Sequence, residues 1–205
     1  MPRVDVPRSG SGPGPGVVDA MDLGFRMHAE RTPNPNSIKW VLGQMVADVV
    51  ACASFDQGVS AAVSPLAAGV ATVDGVTGVL LGSNFVTVTK QESAEWTVLA
   101  APIVAAIKAW AASGASALGP AFEPPRAADE DEVVQKIRMI LERDVRPYVE
   151  QDGGEIRFAG YHDGIVEVVL QGACAGCPSS SITLKMGIEA RLKDEIPEVR
   201  SVVAL

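Results

Sequence analysis

Residues 155–181 read EIRFAGYHDGIVEVVLQGACAGCPSSS, and this stretch decides the fold of the second half of the chain. The alternation in EIRFAGY puts Ile156 and Phe158 on one face. IVEVVL does the same with Val166, Val168 and Leu170, and His162-Asp163-Gly164 between them is a hairpin turn. Gly172, Cys174, Gly176 and Cys177 then form a loop of small residues. Pro178 opens a helix whose apolar side is Ile182, Met186, Ile188, Leu192 and Ile196. Two cysteines three positions apart, between a strand and a helix, pose the chemical question of this sequence.

Working outward, Asp129–Glu132 is an acidic run in front of Val133, Ile137, Ile140, Leu141 and Val145. Acidic residues at a helix N-terminus are favoured by the helix dipole, so a helix is expected here, ending at Pro147. Glu198–Leu205 closes the chain as a strand. The second half thus reads α-β-β-α-β, with helices layered on one sheet. The Asp152-Gly153-Gly154 stretch admits two readings, a functional one and a helix-to-strand turn, and the turn explains its two glycines equally well.

Before it lies a segment of small residues and prolines (114–128), the expected linker. The first half begins with short strands at Phe25–Glu30 and Ile38–Leu42, joined by RTPNPNS (Arg31–Ser37), whose prolines and asparagines favour turns. Ser64-Pro65 starts a short helix, and Val76–Gly82 and Phe85–Lys90 form a hairpin. Trp96, Leu99, Ile103, Ile107 and Trp110 mark one face of a helix ending at Gly114, with a kink or break expected at Pro102. This half reads β-β-α-β-β-α. The expected fold is α+β. Two small domains, each a mixed or antiparallel sheet packed with helices, occupy 23–113 and 129–205, joined by the Pro/Ala/Gly-rich linker 114–128 and preceded by a disordered tail over 1–22.

The chain has 205 residues, 47% hydrophobic and 20% charged, with 17 Lys+Arg against 25 Asp+Glu and a formal net charge of -8. That balance, with no basic stripe, argues against a nucleic-acid partner. No window of about 18 uninterrupted apolar residues suggests a membrane span. Three cysteines do not make a secreted disulfide framework, and the N-terminus lacks both a signal-peptide core and transit-peptide amphipathicity. A cytoplasmic location is the expectation, with a mitochondrial one less favoured.

Four chemistries fit the CxxC loop. Inert packing is disfavoured because the loop has no apolar stripe, and two exposed thiols are seldom inert. A redox dithiol gains from the helix N-terminus, which lowers thiol pKa, but such motifs normally follow the first strand of a βαβ unit rather than a hairpin. Zinc needs four ligands, and His28 and His162 are poorly placed to complete them. An iron–sulfur cluster needs four thiolates, which two copies of the chain would supply from paired CAGC motifs. Cys52, in a Val/Ala-rich segment, reads as a packing residue.

Asp144–Val199 resembles the NifU-like C-terminal domain of Nfu-type iron–sulfur scaffold and carrier proteins, most specifically in RPYVEQDGG (Arg146–Gly154), LQGACAGCPSSSITLK (Leu170–Lys185) and IPEV (Ile196–Val199). RTPNPNSIKW (Arg31–Trp40), SPLA (Ser64–Ala67) and FVTVTK (Phe85–Lys90) are similar to the N-terminal domain of many Nfu proteins. The segment GQMVADVVACASF (Gly43–Phe55) is less typical of that domain. The resemblance implies that Cys174 and Cys177 ligate a cluster shared across a homodimer, usually 4Fe–4S and sometimes 2Fe–2S. It implies delivery of that cluster from an upstream donor to recipient apoproteins, without catalytic turnover. The alternative from another class is a dithiol oxidoreductase using the same two cysteines.

Overall fold

The computed structural model describes residues 25–47, 52–123, 131–175 and 178–205. The tail over 1–22, the end of the linker and Cys177 lie outside the described residues.

The fold is α+β, in two regions. The first sheet has five antiparallel strands: β1 (Met27–Arg31), β2 (Ser37–Leu42), β3 (Ala53–Asp56), β4 (Val76–Leu81) and β5 (Phe85–Lys90), in the order β1-β2-β5-β4-β3. β3 is absent from the sequence reading. Its four residues alternate, with Ala53 and Phe55 buried and Ser54 and Asp56 exposed, but four residues make a short signal. Two helices cover one face. In α1 (Pro65–Ala71) Ser64 Oγ accepts the Ala67 N–H at 3.1 Å and Pro65 opens the helix, so cap and first turn are as expected. The second, α2 (Trp96–Ser113), buries Leu99, Ile103 and Ile107 against the sheet and stops at Gly114 in the left-handed region. It continues through Pro102, where a kink or break was expected. By length and composition alone α2 is apolar enough to cross a membrane; its buried stripe is part of this core. Residues Ala117, Leu118 and Phe122 fold back onto the same core, and the Gly119 and Ala121 amides donate to the Val63 and Ala62 carbonyls.

The second sheet has three strands in the order β6-β7-β8: β6 (Gly154–His162) and β7 (Ile165–Gly172) antiparallel, β7 and β8 (Ser201–Ala204) parallel. Asp163 (φ 50°) and Gly164 (φ 79°) both lie in the left-handed region, as the tight hairpin between β6 and β7 requires. A parallel β7–β8 pair needs a long crossover, which α5 (Pro178–Glu195) supplies. On the N-terminal side α3 (Glu132–Ile140) runs into one π-helical stretch, Leu141–Val145, and then α4 (Arg146–Gln151). Pro147 does not end the helix as expected. The π turn lies just before it, and Pro147 falls in the first turn of α4, where its missing N–H costs nothing. Ile137, Ile140, Val145, Val149, Ile156, Val166, Leu192 and Val202 make the core.

The two regions touch along the second face of the first sheet. β5 is buried at five of its six positions, including Phe85 and Thr87, which alternation alone would place toward solvent. The second region covers that face. A Cβ on Gly153 would lie 3.2 Å from Lys39 and Thr32 side-chain carbons, and one on Gly172 would strike Leu80 at 2.6 Å.

Candidate functional site

The cysteine loop leaves β7 through Gly172, whose φ of 63° and lack of a side chain let the strand end pass between Leu80 and the Gly153 carbonyl. Two main-chain bonds shape the turn: the Ala173 amide donates to the Gly153 carbonyl and the Ala175 amide to the Gly172 carbonyl, each at 3.1 Å. Gly154 faces Cys174, and a Cβ there would collide with the sulfur, so the Gly153-Gly154 turn leaves room for the thiol. Cys174 is only 5% exposed, packed into the second core. The sequence reading of two exposed thiols does not hold for Cys174. The fold turns it inward beside Val149, a position that loop composition could not reveal.

The Cys174 side chain lines a cavity of about 580 Å³, whose walls include Pro33, Tyr148, Val149, Leu184 and Ile188. Tyr148, at 69% exposure, stands at its edge. Asp144 and Arg191 form a charged part of the wall, with Arg191 Nε 2.6 Å from Asp144 Oδ2. Arg143 and Arg191 together hold the Asp144 carboxyl well below the usual carboxylate range, Arg143 contributing most. Glu195, bonded to the same two guanidinium groups, is lowered for the same reason.

Pro33 belongs to the other region, and it arrives with a latch. The RTPNPNS turn is held internally by Asn34 Oδ1, which accepts the Asn36 N–H at 2.9 Å, and by Trp96 Nε1, which donates to the Pro35 carbonyl at 3.0 Å. Asn34 Nδ2 then donates across the seam to the Ala175 carbonyl at 3.2 Å, inside the CxxC motif. From β2, Lys39 Nζ donates to the carbonyls of Glu150 (2.8 Å) and Gln151 (3.2 Å) at the end of α4. Lys39 also lies over the Phe85 ring at 4.6 Å and 3.8 Å from Glu30. The turn expected from its prolines and asparagines is thus also a tie between the first region and the cysteine loop.

His28 and His162 are exposed and paired with Glu30 and Glu167. Among the described residues neither belongs to a group able to hold a metal through three side chains. Cys52 does: its Sγ lies 3.6 Å from Glu150 Oε1, in a cluster with Glu155. Sequence reasoning missed this grouping, because only the packing of the two regions brings residue 52 to residues 150 and 155.

Residues 27–114 match the family model "Scaffold protein Nfu/NifU N terminal", and residues 137–203 match "NifU-like domain". The chain belongs to the Nfu/NifU-like family and carries both of its domains. It is 41% identical over 179 residues to "NFU1 iron-sulfur cluster scaffold homolog, mitochondrial" of Drosophila erecta, covering 86% of this chain and 63% of that protein. It is 40% identical over 183 residues to "NifU-like protein 4, mitochondrial" of Arabidopsis thaliana, covering 86% of this chain and 64% of that protein. The chain thus spans less than two thirds of the length of these relatives. Among solved structures, a NifU-like protein of Saccharomyces cerevisiae matches with a TM-score of 0.42 at 16% identity, over 55% of this chain and 99% of that one. Both named relatives are mitochondrial by their names, which overturns the cytoplasmic expectation drawn from the N-terminal residues.

Proposed function

We propose that this chain is a non-catalytic scaffold that binds an iron–sulfur cluster, 4Fe–4S in the first instance, through Cys174 and Cys177, and passes it to apoproteins. One chain supplies two thiolates in this motif, and a cluster of this kind takes four, so the site is completed by the same motif of a second copy. The observation that carries the reading is the CxxC loop between β7 and α5 in a chain with both Nfu/NifU domains, similar to proteins named iron–sulfur cluster scaffolds. Soft sulfur ligands favour this cargo over hard cations. A cluster held between two copies is released when they part, which suits transfer rather than storage. Cys174 is turned inward, so presenting its thiol to a second copy requires the loop to turn outward.

Anaerobic reconstitution with ferrous iron and sulfide tests the reading. The expected product is a dimer with about four irons and four sulfides, lost in both Cys174→Ser and Cys177→Ser with the fold retained. Iron and visible absorbance kept in both single variants would overturn the assignment. A colourless monomer cycling one Cys174–Cys177 disulfide would replace it with a dithiol oxidoreductase.

A further inference from the structure

We propose that the seam between the two domains holds a second metal centre, in which Cys52, Glu150 and Glu155 bind one divalent transition-metal ion of the zinc or ferrous class. It is separate from the cysteine loop and does not depend on the function proposed for that loop.

The three side chains come from three places. Cys52 directly precedes β3, Glu150 lies in α4 and Glu155 is the second residue of β6. The Gly153-Gly154 reversal aims Glu150 and Glu155 at one point, and Gly153 packs against Thr87 and Lys39, which fixes that turn on the first sheet. One ligand atom from each of Cys52, Glu150 and Glu155 lies within 4.8 Å of the other two. Thiolate sulfur with carboxylate oxygens suits borderline metals such as Zn²⁺ and Fe²⁺, and disfavours Mg²⁺ and Ca²⁺, which seek oxygen alone. Three protein ligands leave one position for water, as in open zinc sites.

A second observation points to a cation at this place. Glu155 is fully buried, yet among the described residues neither of its carboxylate oxygens accepts a hydrogen bond of ordinary geometry, the Cys52 thiol being its close neighbour. The Arg146 guanidinium lies 3.1 Å from Oε1, but Arg146 is shared with Glu142, and the Glu150 carboxylate adds a further negative charge beside Glu155 in the Cys52 cluster. Lys39 does not redress this, since it is engaged by Glu30 and by the carbonyls at the end of α4. Burying excess negative charge is costly unless it is paired, and a divalent ion among these oxygens supplies the pairing. The competing occupant of the seam is a proton: burial first, then the Glu155 and Glu150 carboxylates, push the Cys52 thiol pKa far up, and burial raises that of Glu155 against the pull of Arg146.

Cobalt(II) separates the two. The full-length chain carrying Cys174→Ser and Cys177→Ser, which leaves Cys52 as its one thiol, is titrated first with Co²⁺ and then with Zn²⁺. The expected result is one Co²⁺ per chain with a sulfur-to-cobalt charge-transfer band, release of a proton, and displacement of the band by Zn²⁺. Adding Cys52→Ser abolishes the band. Adding Glu155→Gln weakens affinity by more than about 100-fold, beyond the range seen on losing an outer-shell partner. The band in the Cys52-containing protein decides the matter even if a further variant folds poorly. No sulfur-to-cobalt band with Cys52 intact, or equal Co²⁺ affinity with and without Cys52, would overturn the proposal and leave a proton in the seam.

Discussion

Removing the Asn34 latch is expected to raise the chemical reactivity of Cys174 about fivefold. The bond from Asn34 Nδ2 to the Ala175 carbonyl is a direct side-chain tie from the RTPNPNS turn to the cysteine loop. A neutral hydrogen bond of this kind contributes about 1 kcal/mol net, which shifts an open–closed equilibrium by about fivefold. Where opening is fast relative to labelling, the labelling rate follows the open population, so this factor is read directly. The assay is alkylation by iodoacetamide under reducing conditions, followed at Cys174 by peptide mass spectrometry. Two variants sharpen it. Asn34→Ala removes the seam bond but also the internal bond from Asn34 Oδ1 to the Asn36 amide. Asn34→Asp keeps that acceptor and loses the donor, setting a carboxylate against the Ala175 carbonyl, so its increase is expected to be at least as large. Cys174 labelling at the wild-type rate in both variants would refute the latch.

The remaining predictions concern the frame around the loop. Gly172→Ala is expected to destabilise the protein by about 2 kcal/mol, since its φ of 63° strains any side chain and a Cβ would meet the Gly153 carbonyl oxygen at 2.7 Å. The urea midpoint measures it, and an unchanged midpoint would show that the loop relaxes freely. As pH falls, the Asp144–Arg143–Arg191–Glu195 network is expected to lose its contribution to stability. The Asp144 and Glu195 carboxyls are depressed in the fold by Arg143 and Arg191. Their contribution is therefore present above the unfolded carboxylate pKa, about 4, and is lost as pH falls through the lower folded values. Asp144→Asn should flatten that acid limb of the melting curve and leave the neutral side shallow.

The elements were legible wherever local chemistry decided them. Ser64-Pro65 gives the start of α1, Gly114 the stop of α2, and the alternation of Ile156, Phe158, Val166 and Val168 the hairpin beneath the cysteine loop. What escaped depends on tertiary packing, much of it at the contact between the domains. Phe85 and Thr87 look solvent-facing by alternation, and are buried because the second domain covers that face of the sheet. Cys174 sits in a loop of small residues that reads as exposed, and is buried because the chain turns its side chain toward Val149. Glu155 reads as an ordinary strand-opening residue, and its full burial follows from its position against Arg146 and Cys52. Pro147 misleads for a different reason: the π turn before it makes it the start of a new helical turn rather than an end.

These buried groups share one seam, and that gives the first domain a physical part in the proposed carrier cycle. A loop that must present two thiolates to a second copy needs an outward state. The latch from Asn34, the Lys39 bonds to the end of α4 and the packing of Leu80 on Gly172 all favour the inward one. Each tie contributes only a few kcal/mol or less, so their sum is a barrier that binding of a cluster and a second copy can outweigh. Such a balance predicts order. Cluster loading should loosen the contact between the domains, and release of the cluster should restore it, because the same Ala175 carbonyl cannot keep its Asn34 bond while the loop turns outward.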